Sequence, residues 1–206
     1  NEYFLLALRN SLLIIVICVP VLVALALMIS LGLSFGIRAV RKTRFAFVLP
    51  MVIPTASAVL IWQSVFTDTS TPLPVYLLFI WKNIGICIVL LTAAFTAIDG
   101  SIFEAARLDG AGKFTLHTKI TVPMIMPTIF FTVLLSIVNS FKIFKESYLF
   151  FGTNYPPDHS YTLQYYMNNN FLKLDYQSLA SAAVLTSVLV FLIVMGGLAV
   201  QRRYRQ

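Results

Sequence analysis

The sequence has little charge and almost no cysteine. Only 11% of its 206 residues are charged and 59% are hydrophobic, which exceeds the apolar share of about one half in soluble domains. Its two cysteines, Cys18 and Cys87, lie in apolar stretches, where a thiol usually packs as a small hydrophobic side chain. Such cysteines exclude a disulfide framework or a zinc-ligand pattern. The composition, with a mean hydropathy of +0.86, indicates an integral membrane protein that binds no metal.

Five apolar segments are long enough to cross a bilayer. An α-helix rises about 1.5 Å per residue, so roughly 20 apolar residues span the hydrocarbon layer. We therefore predict an all-α integral membrane fold in which residues 1–206 form a single domain with five transmembrane helices. The predicted spans lie at about residues 11–37, 45–67, 74–98, 122–143 and 178–200. The third contains Lys82, which we expect either to snorkel towards the outer surface or to form a structural pair.

The basic residues predict the orientation of these spans. Four of them lie between the first and second spans: Arg38, Arg41, Lys42 and Arg44. The positive-inside bias places this connection in the cytoplasm, and segment 99–121 and the basic C-terminal tail then follow on the same side. Because the basic charge is spread over short loops, it favours anionic lipid headgroups over nucleic acid as a partner.

Two proline pairs, Pro50/Pro54 and Pro123/Pro127, lie at the starts of the second and fourth spans. Each proline removes a helical N–H and frees a carbonyl from the hydrogen-bond ladder. Ordinary kinks and a shared role in gating both explain this pattern, and twelve similar residues do not establish an internal duplication.

A polar stretch, "SIFEAARLDGAGKFTLHTKITVP", interrupts the apolar sequence at residues 101–123. Ser101 and Glu104 have the spacing of a capping box, and Gly110 and Gly112 are suited to end the helix that would begin there. A helix of about eight residues is too short to be stable alone, since isolated helices are marginal below roughly 12–15 residues. The small side chains on it suit a groove in a partner protein, but the residues alone favour a helix lying on the membrane surface.

Part of this stretch, "EAARLDGAGKFTLHTKITVP", resembles the cytoplasmic signature of permease subunits of binding-protein-dependent ABC importers. That signature is EAA, three residues, G, nine residues, I, one residue and LP, and Val122 replaces its leucine here. "FIWKNIGICIVLLTAAFTAID" and "TLQYYMNNNFLKLDYQSLASAAVLTSVLVFL" are also similar to the carbohydrate-uptake, maltose-type branch. Members usually have six or more spans, so we expect the family's first helix to precede Asn1, and the outer loop near 66–74 is short for the family.

The resemblance implies coupling helices at about 101–121 that contact cytoplasmic ATPase subunits. Its coupling residues would be Glu104, Ala105, Ala106, Arg107, Asp109, Gly110 and Phe114. It further implies a second permease subunit of different sequence, two ATPase subunits that bind ATP and Mg, and an extracytoplasmic solute-binding protein. This chain would bind no cofactor and have no enzymatic activity of its own, and it would reside in a prokaryotic cell membrane with its C-terminus in the cytoplasm.

The solute path is sought among polar residues within the membrane, where such side chains are costly and usually functional. Ser136, Asn139 and Ser140 share a face in the outer half of the fourth span. They either line the path or bond neighbouring helices. On the outer side, Tyr155, Tyr161 and Tyr165 are candidates for docking the binding protein, with an interfacial aromatic belt as the alternative.

Hydropathy alone also fits a secondary transporter or a channel, and only the coupling signature distinguishes an ATP-driven importer from these. A membrane enzyme is disfavoured, because the two histidines lie on opposite sides of the predicted membrane and no nucleophile or acid converges with them. The residues do not name the solute, and a sugar or oligosaccharide is what the resemblance implies.

Overall fold

The computed structural model describes residues 2–34 and 44–203, and within these ranges the regular structure is entirely helical. The α-helices are α1 (Glu2–Ser34), α2 (Arg44–Val52), α3 (Thr55–Val65), α4 (Leu73–Thr96), α5 (Gly100–Leu108), α6 (Lys113–Thr115), α7 (Val122–Met124), α8 (Met126–Ser140), α9 (Phe144–Phe151), α10 (Leu163–Leu172) and α11 (Tyr176–Arg203). A π-helical turn, Leu116–Thr121, joins α6 to α7, and a 3₁₀ turn, Asp158–Ser160, precedes α10. The predicted all-α membrane fold is confirmed.

Three of these helices, α1, α4 and α11, are each long and apolar enough to cross a membrane. Two further candidate spans are bent pairs: α2 and α3 meet at 111°, and Leu116–Met124 meets α8 at 65°. The second span, predicted as continuous over 45–67, is therefore broken at Ile53 and Pro54. Pro54 has no N–H to continue the helical ladder, so the chain turns at that point.

Helices α1 and α4 pack side by side in the same direction. The Ser30 hydroxyl donates to the Ile88 carbonyl at 3.3 Å. Twelve residues before Ser30, Cys18 lies near Tyr76, which is itself twelve residues before Ile88. Since α1 and α4 run in the same direction, the chain must return across the layer between them. The bent pair α2–α3 therefore acts as a broken span and not as a loop that enters and leaves on one side.

The main hydrophobic core lies between α1 and α4. Leu22, Leu78 and Leu91 are fully buried there, and Cys18 and Cys87 are 0% and 1% exposed. A Cβ on Gly85 would lie 2.5 Å from the Phe47 carbonyl oxygen, so the missing side chain lets the α2 backbone approach α4 closely. The cysteines thus pack as small hydrophobic side chains, as expected.

A second cluster fastens the start of α1 to the segment before α10. The Asn10 side-chain amide donates to the Tyr161 carbonyl at 2.9 Å, and the Ser11 hydroxyl accepts from the Leu163 amide at 3.0 Å. Leu163 and Tyr165 are 1% and 0% exposed in this cluster. Residues about 150 positions apart are thereby held together, and the outer segment has a core of its own.

Several of the basic residues that predict the orientation lie outside the described residues. Arg38, Arg41 and Lys42 lie outside the described residues, as does Arg205 of the C-terminal tail. The orientation drawn from these residues stays a prediction.

Only 6% of the most apolar stretch of α11 is buried, against 39% for α4, so α11 presents most of its apolar surface away from the chain's own core.

Candidate functional site

Helix α5 begins two residues earlier than the capping box predicts. Asp99, with an extended backbone, caps the helix, because its carboxylate accepts from the Ser101 amide at 3.0 Å. This hydrogen bond lowers the pKa of Asp99 from its usual value. Ser101 is therefore inside the helix, and the predicted cap by Ser101 and Glu104 is replaced by a cap from Asp99.

Helix α5 ends at a left-handed glycine. Gly110 has a φ of 80°, and the Ala111 amide donates to the Ala106 carbonyl at 2.9 Å, which is the hydrogen bond of a Schellman-type end. Gly112 has a different role from the predicted one: its carbonyl accepts from the Leu116 amide at 3.0 Å and so opens the next helix. Only Gly110 needs the backbone freedom of glycine here.

The predicted coupling residues form one exposed surface. None of the nine residues of the described helix α5 is buried, and Leu108 at its end is 89% exposed. Phe114, just beyond the turn, is 80% exposed. The other predicted members are exposed as well, apart from half-buried Ala106: Glu104, Ala105, Arg107, Asp109 and Gly110. Large apolar side chains among charges are suited to a partner's groove.

The coupling surface is joined to the fourth span by continuous helix. The chain runs from Lys113 through the π-helical turn Leu116–Thr121 to Met124 before it bends at Ile125 into α8. Thr121 is fully buried, and its hydroxyl donates to the Leu116 carbonyl at 2.8 Å. A displacement of the surface around Phe114 would therefore move the base of α8.

A polar cavity of about 190 Å³ lies near the far end of α8. It is lined by Phe79, Lys82, Asn83, Asn139, Lys142, Ile143 and Glu146. The Asn139 side-chain amide donates to the Asn83 side-chain oxygen at 3.3 Å, and the Asn83 amide donates to the Phe79 carbonyl at 2.8 Å. Two planar amides and three ionisable side chains thus share this cavity, which we call the polar pocket.

Of the three predicted path residues, only Asn139 lines the polar pocket. Ser136 and Ser140 are 1% and 4% exposed, and their hydroxyls donate to the Thr132 and Ile137 carbonyls of their own helix. Each hydroxyl is bonded to its own helix and enclosed by packing, so neither serine faces this cavity, and their role in the path stays a prediction. Asn83 was missed, although an amide next to Lys82 within an apolar span was a usable signal.

Lys82 is bonded to the broken span. Its ammonium donates to the Thr55 hydroxyl at 2.9 Å and to the Ile53 carbonyl at 3.4 Å. Of the two roles expected for this lysine, the structure shows the structural pair. Its partners are the two residues that flank Pro54.

Glu146 faces the pocket from α9, beyond the end of the fourth span. Burial raises the pKa of the Glu146 carboxyl, while a backbone hydrogen bond and the charges of Lys82 and Lys145 act in the opposite direction. A half-buried carboxylate and a half-buried ammonium thus share this small cavity.

The three predicted docking tyrosines have different environments. Tyr155 is 61% exposed, and the Lys173 ammonium lies 5.9 Å from its ring centroid. Tyr161 and Tyr165 are 7% and 0% exposed, and the Tyr165 ring meets the Phe144 ring at 4.8 Å. Packing on α1 and α9 buries Tyr161 and Tyr165, and their docking role stays a prediction. Tyr155 stays a candidate.

A family model described as a binding-protein-dependent transport system inner membrane component matches residues 7–206. The lactose transport system permease protein LacF of Rhizobium radiobacter is 32% identical over 114 residues, which are 55% of this chain and 38% of that protein. A probable ABC transporter permease protein of Mycoplasma pneumoniae is 29% identical over 98% of this chain and 68% of its own length. The match to LacF therefore covers little more than a third of that relative.

Solved structures share the fold over nearly the whole chain. A crystal structure of a bacterial ABC transporter involved in the import of the acidic polysaccharide alginate superposes with a TM-score of 0.79. It is 21% identical in sequence, and the superposition covers 98% of this chain and 80% of that one. A second structure, of the alginate transporter in complex with an alginate pentasaccharide-bound periplasmic protein, gives a TM-score of 0.76 at 22% identity.

Proposed function

The chain belongs to the family of binding-protein-dependent transport system inner membrane components, and on that premise we propose that it is a permease subunit of an ATP-driven sugar importer. With a second, different permease subunit it would form the path that takes a sugar or oligosaccharide into a prokaryotic cell. The observation that carries this proposal is the exposed coupling surface at α5 and Phe114, which continuous helix joins to the fourth span.

The coupling surface supports a role in energy transfer and not in catalysis. Two cytoplasmic ATPase subunits would bind ATP and Mg, and each permease subunit would insert its α5 into one of them. Closure of the ATPase pair would then displace Phe114 and, through the helix that ends at Met124, the base of α8. This assignment places α5 and the C-terminus of the chain in the cytoplasm.

The polar pocket supports a hydroxyl-rich solute. Amide groups such as those of Asn83 and Asn139 both donate and accept hydrogen bonds, and they match sugar hydroxyls well. The relative named for lactose transport agrees with this class of solute. An extracytoplasmic binding protein would deliver the solute on the side of Tyr155, and the alginate complex with its periplasmic protein is the parallel for that step.

The proposal is tested by Gly110→Val, with Gly112→Val as the matched control. Valine at Gly110 is strained by the φ of 80°, whereas Gly112 does not have a left-handed backbone and has open space around it. We expect Gly110→Val to lower both solute uptake and co-purification with the ATPase subunits, while Gly112→Val leaves both near the wild-type level. If uptake and association both survived Gly110→Val, or if uptake proceeded without ATP, a secondary transporter or channel would replace this assignment.

A further inference from the structure

We propose that Lys82 is a positioning residue, whose ammonium holds the break between α2 and α3 and so shapes the polar pocket. This inference rests on the proposed function only where it regards that pocket as part of the solute path. The bonds to Ile53 and Thr55 and the pocket itself are features of the fold.

The break between α2 and α3 needs a hydrogen-bond donor such as the Lys82 ammonium. Pro54 cannot donate a backbone hydrogen bond, so the ladder that ends with the Ile53 amide bonded to the Leu49 carbonyl does not continue into α3. Carbonyls at the C-terminal end of a helix carry partial negative charge and are costly to leave unpaired in an apolar layer. A cation beside the Ile53 carbonyl satisfies this requirement better than a neutral donor would.

Lys82 itself also needs the break. An ammonium within a membrane span is expensive unless it is paired or reaches water, and Lys82 is only half-buried. Two of its three donor hydrogens are directed to the oxygens of Ile53 and Thr55, at 3.4 and 2.9 Å. The charge and the bend of 111° thus stabilise each other.

Asn83, the residue after Lys82, connects α4 to the fourth span. The Asn83 side-chain oxygen accepts from the Asn139 amide. Adjacent residues of α4 thus bond two different elements: Lys82 bonds the broken span and Asn83 bonds α8. Both side chains line the pocket, and so does the Glu146 carboxyl. A solute oxygen that enters the pocket would compete with the Ile53 carbonyl for Lys82, and solute occupancy would thereby loosen the break.

The experiment measures the bend directly in the full-length protein reconstituted in liposomes. Nitroxide labels on Ala46→Cys and Val65→Cys lie at exposed positions on the two arms of the bend. The native Cys18 and Cys87 are 0% and 1% exposed, so they label poorly and can stay in place. Electron spin resonance then gives the distance between the labels in each variant.

We expect a single short distance in the wild type and a broader distribution in Lys82→Met. The broadening should extend towards the about 30 Å that 20 residues of straight helix would span. Lys82→Arg, which keeps the cation, should restore the short distance. Thr55→Val, which removes one of the two acceptors, should give an intermediate result.

Lys142→Met is the matched control. Lys142 lines the same pocket, but within the described residues its ammonium does not bond to Ile53 or Thr55. This control separates the loss of the bond to the break from the loss of a charge in the pocket. A wild-type distance distribution in Lys82→Met, or equal broadening in Lys142→Met, would overturn the proposal.

Solute uptake by the same variants separates this inference from the proposed function. We expect Lys82→Met to lower uptake about tenfold and Lys82→Arg to recover most of it. If the wild type failed to import sugar, the proposed function would fail, whereas the distance measurement would still decide the role of Lys82.

Discussion

The coupling surface and the polar pocket are built in opposite ways. The coupling surface consists of neighbours in sequence, and its main side chains, Leu108 and Phe114, are almost fully exposed. The pocket is assembled from three helices and the turn after α8, and its central hydrogen bond joins Asn83 to Asn139, 56 positions apart. Under the proposed function the first region acts through a partner protein, whereas the second depends on the packing of its own chain.

This difference predicts different consequences of mutation. A change on the coupling surface should affect association and uptake while leaving stability intact, because an exposed side chain contributes little to folding. A change near the pocket should affect stability or uptake without altering association. Each variant below contrasts the two regions, beginning with the largest expected effect.

Phe114→Asp should produce the largest loss. An exposed aromatic side chain that fills a partner's groove has the properties of an interface hot spot, worth about 2 kcal/mol, and its loss should weaken ATPase association about 30-fold. Uptake should fall with it, while the unfolding temperature in detergent stays unchanged. Phe171→Asp is the control, because Phe171 is 55% exposed on α10, in the outer segment. Unchanged ATPase association in Phe114→Asp would remove this residue from the coupling surface.

Gly85→Ala should destabilise the fold near the pocket. The added Cβ would lie 2.5 Å from the Phe47 carbonyl oxygen, so α2 and α4 must separate at a cost of about 1–3 kcal/mol. Gly196→Ala is the control, since it brings the same gain in helix propensity and meets nothing within 4 Å. Thermal unfolding of both variants provides the comparison. Equal stability would mean that α2 and α4 do not need this close approach.

The same contrast explains what the sequence could predict. The coupling surface was found because its residues form one short signature, and hydropathy located the five apolar segments. The two proline pairs indicated that two spans could be irregular, but not that α2 and α3 meet at 111°. The direction of the chain after Pro54 depends on Lys82, which is 29 positions from Ile53. The sequence predicted snorkelling or a structural pair for this lysine, but it did not name the partner.

The sequence also did not predict that two of the tyrosines and two of the serines are buried. Tyrosine is frequent both at interfaces and in cores, and only the contact between α1 and the segment before α10 buries Tyr161 and Tyr165. For Ser136 and Ser140, the helical spacing correctly placed the residues near Asn139. It did not show that their hydroxyls bond their own helix. The burial of these side chains depends on long-range packing, which local sequence patterns do not encode.

Asn139→Leu tests whether the pocket acts without the coupling surface. It removes the hydrogen bond to Asn83, and a lost bond of about 1 kcal/mol corresponds to roughly a fivefold decrease in uptake. ATPase association should stay at the wild-type level. Ser140→Ala is the control, since its hydroxyl bonds only the Ile137 carbonyl among the described residues, and we expect uptake within twofold of wild type. A larger effect of Ser140→Ala than of Asn139→Leu would place the serine in the solute path.

Asp99→Ala should have the smallest effect, confined to the start of α5. The carboxylate caps the Ser101 amide, so its removal should speed hydrogen exchange in the first turn of α5, whereas Asp99→Asn should keep most of the protection. The hydrogen bond lowers the pKa of Asp99, so its stabilising contribution is present above the usual value of about 3.9 and is lost only as the pH falls through the lowered pKa. First-turn exchange in the wild type, corrected for intrinsic rates, should therefore not change between pH 7 and pH 5. If Asp99→Ala exchanged no faster than Asp99→Asn, the cap would not hold α5 in place, and the exposed coupling surface would owe its shape to its partner.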